Sequence, residues 1–377
     1  MPEAATDDLA IALTYYSPYV SGLTNMARDI AEGLAARGRT VTVVTSHFDS
    51  GLPLEEEING VRVLRAPVLA RVGRGVVSPQ LVALGRRTLG RARVASLQLP
   101  MLEAGAIAAG LRTPLVSTYH CDVTLPPGLV NDVQRIVVDA SNRLAMRRSV
   151  AVAVTSEDYA QHSRMWSSIQ PSMHVVAPPC PAPPPGRPNY RETDGPHIGF
   201  LGRIVREKGL EHLVRAFRAV PDPDARLLLG GDYAHVAGGS VVSQVRAAMG
   251  DDPRIRLLGF VPEERIGDFY ASLDVFTLPS VNAFEAFGIV QAVAMLAGVP
   301  VLSSDIPGVR QPVVQTGFGT LVPPGDEPAI TRALQDLYTN PPDRTRGIAR
   351  AQRAFSVANV LDAYEVLLDK AVSPRER

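Results

Sequence analysis

Between residues 202 and 209 the chain reads GRIVREKG, which sets Arg203 and Lys208 in a glycine-bounded turn directly after the apolar run HIGFLG. A turn from a strand into a helix is an anion site by construction, because the first free N–H groups and the positive end of the helix dipole point at whatever sits there. Arginine grips phosphate oxygens through paired hydrogen bonds, lysine adds a compact charge, and Gly202 lets the backbone approach closely. The competing reading is a solvated basic loop with Glu207 as its partner. A second segment, PSVNAFEAFGIV at 279–290, places Glu285 where a loop meets a helix start, with the amides of Phe287, Gly288 and Ile289 in the first turn. Such a group suits phosphate or sugar hydroxyls, the carboxylate accepting hydroxyl hydrogen bonds. Its plainer reading is a carboxylate favoured by the helix dipole alone.

The N-terminal half offers weaker signals. In YYSPYVSGLTN (15–25) Ser21 and Gly22 allow close backbone approach to a ligand at a helix start. The dinucleotide fingerprint G-x-G-x-x-G is absent from this turn, which argues against a nicotinamide dehydrogenase. In TYHCD (118–122) His120 is placed to exchange a proton near neutral pH and Asp122 to orient an acceptor hydroxyl; a lone histidine at a strand end also has an ordinary structural reading. Asp222-Pro223-Asp224 has the spelling of a metal-binding pair but sits in a proline turn, and neither the seven histidines nor Cys121 and Cys180 show a ligand spacing. No metal and no cofactor are expected. The cluster Arg86, Arg87, Arg91 and Arg93 reads as a solvated face, with attraction of anionic lipid or of a phosphorylated acceptor as its alternative.

These residues need elements to hold them. Strands are predicted at 9–16, 40–46, 62–67, 93–99, 114–120 and 150–156, with helices at 22–37, 101–110 and 128–148 between them. After PPCPAPPPGRP, read as a linker over 181–189, the alternation restarts with strands at 197–202, 225–231, 255–261, 275–280 and 300–305. Helices are predicted at 208–219, 240–249, 263–271, 287–297 and 355–371. Strands apolar on both faces and separated by helices form parallel sheets covered on both sides. The fold expected is α/β: Rossmann-like domains at 1–180 and 190–354 whose sheets face a central cleft, with loops at 50–60, 68–80 and 122–130 shaping an acceptor pocket.

At 377 residues the chain exceeds one ordinary core, and its 46% hydrophobic content suits a soluble globular protein. Thirty-eight basic residues balance thirty-eight acidic ones, so nucleic acid is not an expected partner. An acidic start and the lack of an apolar run of about 18 residues point to a cytoplasmic protein with reduced thiols, at most peripheral to the membrane's inner face.

Taken together the motifs resemble glycosyltransferase family 4, retaining enzymes of the GT-B fold. The likeness runs through Ser21-Gly22, T-x-H at Thr118 and His120, and G-R-x-x-x-E-K-G at 202–209. It continues through Gly259 to Val261, D-V-x-x-x-P-S at 274–280, E-x-F-G-I-V at 285–290 and G-x-P-V at 298–301. The resemblance implies a nucleotide-sugar donor site in which Arg203 and Lys208 bind the diphosphate beside Gly202 and Val261. Glu285 and the amides of Phe287 to Ile289 would meet the sugar, Gly22 would approach the phosphates, and His120 would lie near the reacting centre. It also implies that no metal is needed and that the helix at about 355–377 returns to the N-terminal domain. One departure stands out: the family carries a second glutamate eight residues after the first, bonding the ribose hydroxyls, and here that position is Val293. A 2'-deoxyribose donor, another mode of ribose binding, or a non-catalytic relative acting as a binding subunit each accounts for it; an epimerase of similar fold is a further alternative. The acceptor, whether small molecule, lipid carrier or glycan, is not legible.

Overall fold

The computed structural model describes residues 7–72, 75–125, 127–233, 239–282 and 285–373. Ala283 and Phe284, within the 279–290 segment, lie outside them, as do Pro126 in the 122–130 loop, residues 73 and 74 in the 68–80 loop, and residues 374–377 of the last predicted helix. The chain divides into two compact units, one comprising residues 1–179 with 357–377 and the other residues 180–356.

In chain order the first unit holds β1 (Leu9–Ala12), α1 (Gly22–Ala36), β2 (Val41–His47), β3 (Glu55–Ile58), β4 (Val61–Pro67), β5 (Ala70–Val72), β6 (Gly75–Val77), α2 (Pro79–Leu89), β7 (Val94–Leu99) and α3 (Ala104–Ala109). It continues with β8 (Leu115–Tyr119), α4 (Leu129–Arg148), β9 (Ala151–Val154), α5 (Glu157–His162), α6 (Trp166–Ile169) and β10 (Met173–Val175). Among the described residues eight of these strands form one sheet in the order β10-β9-β8-β7-β1-β2-β4-β3, parallel except for β3. The central strands are buried along their length, as a sheet covered by helices on both faces requires.

The strand expected over 9–16 ends at Ala12, and Tyr15 instead stacks on Tyr19 with ring centroids 4.5 Å apart. The loops expected at 50–60 and 68–80 contain β3 and the antiparallel ribbon β5–β6. Strand β3 (EEEI) escapes a hydrophobic pattern because it is a sheet edge: charged side chains blunt its free backbone, and Arg62 across the pair donates to Glu55 at 2.8 Å.

The second unit holds β11 (His197–Leu201), α7 (Leu210–Arg218), β12 (Arg226–Gly230), α8 (Val242–Met249), β13 (Ile255–Gly259), α9 (Ile266–Ala271) and β14 (Val275–Leu278). It closes with α10 (Ile289–Leu296), β15 (Val301–Ser304), α11 (Gln311–Thr316), β16 (Gly319–Val322), α12 (Glu327–Thr339) and α13 (Arg344–Phe355). Its six strands pair in parallel in the order β13-β12-β11-β14-β15-β16. The proline segment is no free linker. It belongs to the second unit, where the backbone at Gly186 packs so closely on Gly267 that a Cβ would overlap it, and the Arg187 N–H donates to Asp268 at 2.9 Å. Prolines hold the segment extended, and that shape fits along another backbone. The chain passes between units at 179–180 and 356–357, and Cys180 N–H donates to the Phe355 carbonyl at 2.9 Å.

The last helix, α14 (Val357–Val372), completes the first unit. Val360, Leu361, Tyr364 and Leu367 enter the core built around α1, where the missing side chain of Gly33 makes room for Leu361. Arg37 pairs with Asp362 and Glu365, both at 2.7 Å, at the rim of the contact. No helix among the described residues is long and apolar enough to cross a membrane.

Candidate active site

In the second sheet the chain runs outward from β11 through β12 to β13, then jumps back to β14 on the other side of β11. At such a reversal the loops leaving the two neighbouring strands diverge and open a crevice at their carboxyl ends, the place where ligands of open parallel sheets bind. The loop after β11 carries Gly202, Arg203 and Lys208; the loop after β14 carries Glu285 and Gly288. Topology therefore brings together segments some eighty residues apart, and the Val281 N–H ties them by donating to the Glu207 carbonyl at 3.0 Å.

Lys208 and Glu285 form an ion pair through Nζ and Oε2. The lysine side chain is only 11% exposed. The other carboxylate oxygen, Oε1, accepts the Gly288 N–H at 3.0 Å. Burial pushes the Glu285 carboxyl up, but the Lys208 charge and hydrogen bond, the Gly288 amide and the Arg203 charge outweigh it and hold the group below the ordinary glutamate range. An ammonium has three donors, so pairing with Glu285 leaves Lys208 capacity for an anion. Arg203 differs: its side chain is 46% exposed and reaches Glu207 only at 3.7 Å, a surface contact of little energetic weight.

The amide trio expected at 287–289 is corrected in part. The Gly288 N–H is taken by Glu285, and the Phe287 ring turns into the core, edge-on to Phe355 at 5.6 Å between centroids. Gly288 caps α10 in the left-handed region (φ 78°). Val261 is buried, and a Cβ at Gly230 would press against it. Gln291, which carried no signal in the sequence, is fully buried and donates to the carbonyls of Phe287 at 2.8 Å and Val309 at 2.7 Å, locking the first turn of α10. Val293 is half-buried on the same side of α10 as Ile289, one turn earlier.

Gly209 supports the Lys208 loop from below. It adopts φ 63° as the N-cap of α7, and a Cβ there would overlap the Pro279 carbonyl. A side chain in this region costs about 1–2 kcal/mol before any clash. Gly209→Ala is therefore expected to lower unfolding free energy by at least that much in a denaturant titration; an unchanged midpoint would remove the constraint.

In the first unit the reversal falls between β1 and β7. Ser21 and Gly22 follow β1 at that point: Ser21 Oγ caps α1 by accepting the Thr24 N–H at 3.1 Å, while Gly22 is exposed with open space around it. The serine is thus a cap, and the glycine is the accessible position.

His120 follows β8 and is 6% exposed. Burial drives its pKa down to about 3, so it does not exchange a proton near neutral pH as the sequence suggested. Its Nε2 faces Gln98 Oε1 at 2.8 Å. The Gln98 amide in turn donates to Ser96 at 3.0 Å and Thr118 at 3.4 Å. A neutral imidazole donating to Gln98 keeps Nδ1 as an acceptor. Gln98 was missed, although a lone amide inside the apolar strand VASLQL is itself a signal. Asp122 is committed within its own unit, with Oδ1 accepting from Tyr119 and from Ser163 at 2.8 Å, which makes it an anchor for the loop rather than a free acceptor-orienting group. Asp222 accepts the Asp224 N–H at 2.8 Å, as a turn does.

The His120 shift has a sign. Because the folded value lies below the unfolded one, its stabilising share is full above about pH 6.5 and is lost as pH falls toward 3, by up to about 1.4 kcal/mol per pH unit. Urea titrations at pH 7 and pH 5 are expected to show a smaller acid loss in His120→Gln than in wild type; equal losses would contradict a neutral buried imidazole.

Two family models cover most of the chain: "Glycosyl transferase 4-like domain" matches residues 21–180 and "Glycosyl transferases group 1" matches residues 195–340. The chain belongs to glycosyltransferase family 4. It is 28% identical over 382 residues to a D-inositol 3-phosphate glycosyltransferase of Xylanimonas cellulosilytica, covering 91% of each chain. It is also 28% identical to a 2-deoxystreptamine N-acetyl-D-glucosaminyltransferase of Streptomyces fradiae, over 93% of this chain and 92% of the relative. The fold matches the crystal structure of Anabaena HepE in complex with UDP at a TM-score of 0.73 and 20% identity, over 96% of this chain and 100% of the other. This glycosyltransferase therefore has the GT-B type of architecture, two parallel-sheet α/β units, and it is an enzyme.

Proposed function

We propose that this glycosyltransferase moves a glycosyl group from a nucleotide diphosphate sugar to an acceptor hydroxyl, with retention at the anomeric carbon and without a metal. The observation that carries the reading is the Lys208–Glu285 pair, pinned by the Gly288 amide at the reversal of the second sheet. As the bond from the anomeric carbon to the diphosphate breaks, negative charge grows on the leaving phosphate, and cations already in place favour that state over the ground state. Lys208 and Arg203 supply those cations, while Glu285 accepts donor-sugar hydroxyls and orients Lys208. The acceptor oxygen bonds the anomeric carbon on the face the phosphate leaves, and its proton passes to a phosphate oxygen. His120, kept neutral, offers Nδ1 as a hydrogen-bond acceptor in the first unit.

Val293 favours a donor with 2'-deoxyribose, a thymidine diphosphate sugar. The side of α10 that offers Ile289 and Val293 has no carboxylate to accept a ribose hydroxyl, and a buried hydroxyl without a partner costs about 1–3 kcal/mol. The test is transfer to an added acceptor with the product's anomeric configuration read by NMR, repeated with a chelator present. Retention and an unchanged rate are expected. An inverted product would overturn the stereochemical reading, and loss of rate on chelation the metal-free one.

A further inference from the structure

Helix α4 buries Val138, Ala145 and Met146 and leaves a larger apolar side exposed. The two polar groups on its inward side are held in bonds: Asp139 pairs with Arg164 at 2.6 Å, and Asn142 accepts the Met101 N–H at 3.1 Å. Its outward side is apolar for four turns, with Leu129, Val130, Val133, Ile136, Val137 and Leu144 all exposed; the first is 86% exposed, and Val133 and Ile136 are 61% and 56%. Positions 129, 133, 136, 140 and 144 recur every three or four residues and so form one stripe. Isolated exposed apolar residues are ordinary, but a continuous stripe this long marks a surface that meets something apolar.

Charge selects the partner. Asp132, the one acid on the outward side, is paired with Arg135 of its own helix at 3.5 Å. Arg143, Arg147 and Arg148, toward the end of the stripe, have no ion pair among the described residues, and neither has Arg87 on α2, in the same helical layer that α3 links to α4. A surface with an apolar stripe and uncompensated guanidinium groups complements an anionic lipid headgroup layer, in which such a helix lies flat with its apolar face in the acyl boundary. The stripe begins just beyond the loop that follows His120, so docking would hold that end of the unit at the lipid surface.

We infer that the α4 face docks the enzyme on anionic membranes. The inference does not depend on the donor reading, and vesicle sedimentation of the full chain tests it without turnover. Vesicles of phosphatidylcholine with phosphatidylglycerol are expected to carry the protein down and phosphatidylcholine alone to leave it in solution. The triple variant Val133→Gln, Ile136→Gln, Val137→Gln, with an unchanged melting temperature, is expected to lose sedimentation at least ten-fold. Arg147→Gln with Arg148→Gln is expected to lose roughly five-fold for each arginine. No sedimentation with the anionic vesicles, or sedimentation unaffected by the triple variant, overturns the inference. So does a wild-type dimer in light scattering that the triple variant turns to monomer while neither binds vesicles, which would make the stripe a self-association face.

Discussion

Lys208→Met is expected to lower kcat at least a hundred-fold and to lower stability as well. The two losses have separate origins. Methionine matches the lysine stem in reach but removes the charge that meets the leaving phosphate, and removing one prearranged group of this kind costs about a hundred- to a thousand-fold in rate. It also strands Glu285, whose charged form Lys208 holds; breaking a buried pair costs about 3–5 kcal/mol, and the partial exposure of both groups places this one toward the lower end. The double variant Lys208→Met, Glu285→Gln is expected to recover most of the stability, since no charge is left unpartnered, and none of the rate. Recovery of rate would show that the pair only holds the loop. The same pair sets an acid limit: the folded Glu285 pKa lies below its unfolded value, so its stabilising share is present above the ordinary glutamate range and disappears as pH falls through the folded value.

Val293→Glu is expected to change the donor preference. The position is half-buried on the Ile289 side of α10, so a glutamate there can extend outward without entering the core. A new acceptor for both ribose hydroxyls adds about 1–3 kcal/mol to donors that carry them, which is roughly five- to 150-fold in kcat/KM. The ratio of kcat/KM for a uridine over a thymidine diphosphate sugar should rise by that factor in the variant, from a wild-type ratio below one. A wild type that already prefers the uridine donor would remove the deoxyribose reading.

The strands and helices that hold the site were legible because βαβ units repeat a simple pattern: buried strands are short apolar runs and the helices between them are periodic. What escaped the sequence were elements whose pattern serves an edge or a neighbour, such as β3, whose glutamates guard the sheet margin, and the ribbon β5–β6. At the site, residue types were readable and environments were not. Lys208 and Arg203 look equivalent in GRIVREKG, yet one is buried against Glu285 and the other lies in solvent, because a loop from β14 covers only the first. His120 reads as a proton carrier until its burial is known. Gln98 holds the His120 ring and Gln291 holds the Val309 carbonyl, partners some twenty residues away in sequence that local spacing does not connect.

Helix α14 supplies four core side chains to the unit that contains α1. A ribosome delivers that helix only after the whole of the 180–356 unit. The α1 face that receives Leu361 must therefore stay uncovered while more than three hundred residues are synthesised after it, and the 180–356 unit, whose strands are all in place before α14 emerges, is free to finish first. Nascent chains arrested before residue 357 should accordingly protect the second unit from protease and leave the first one digestible, inverting the usual order in which domains mature from the amino end.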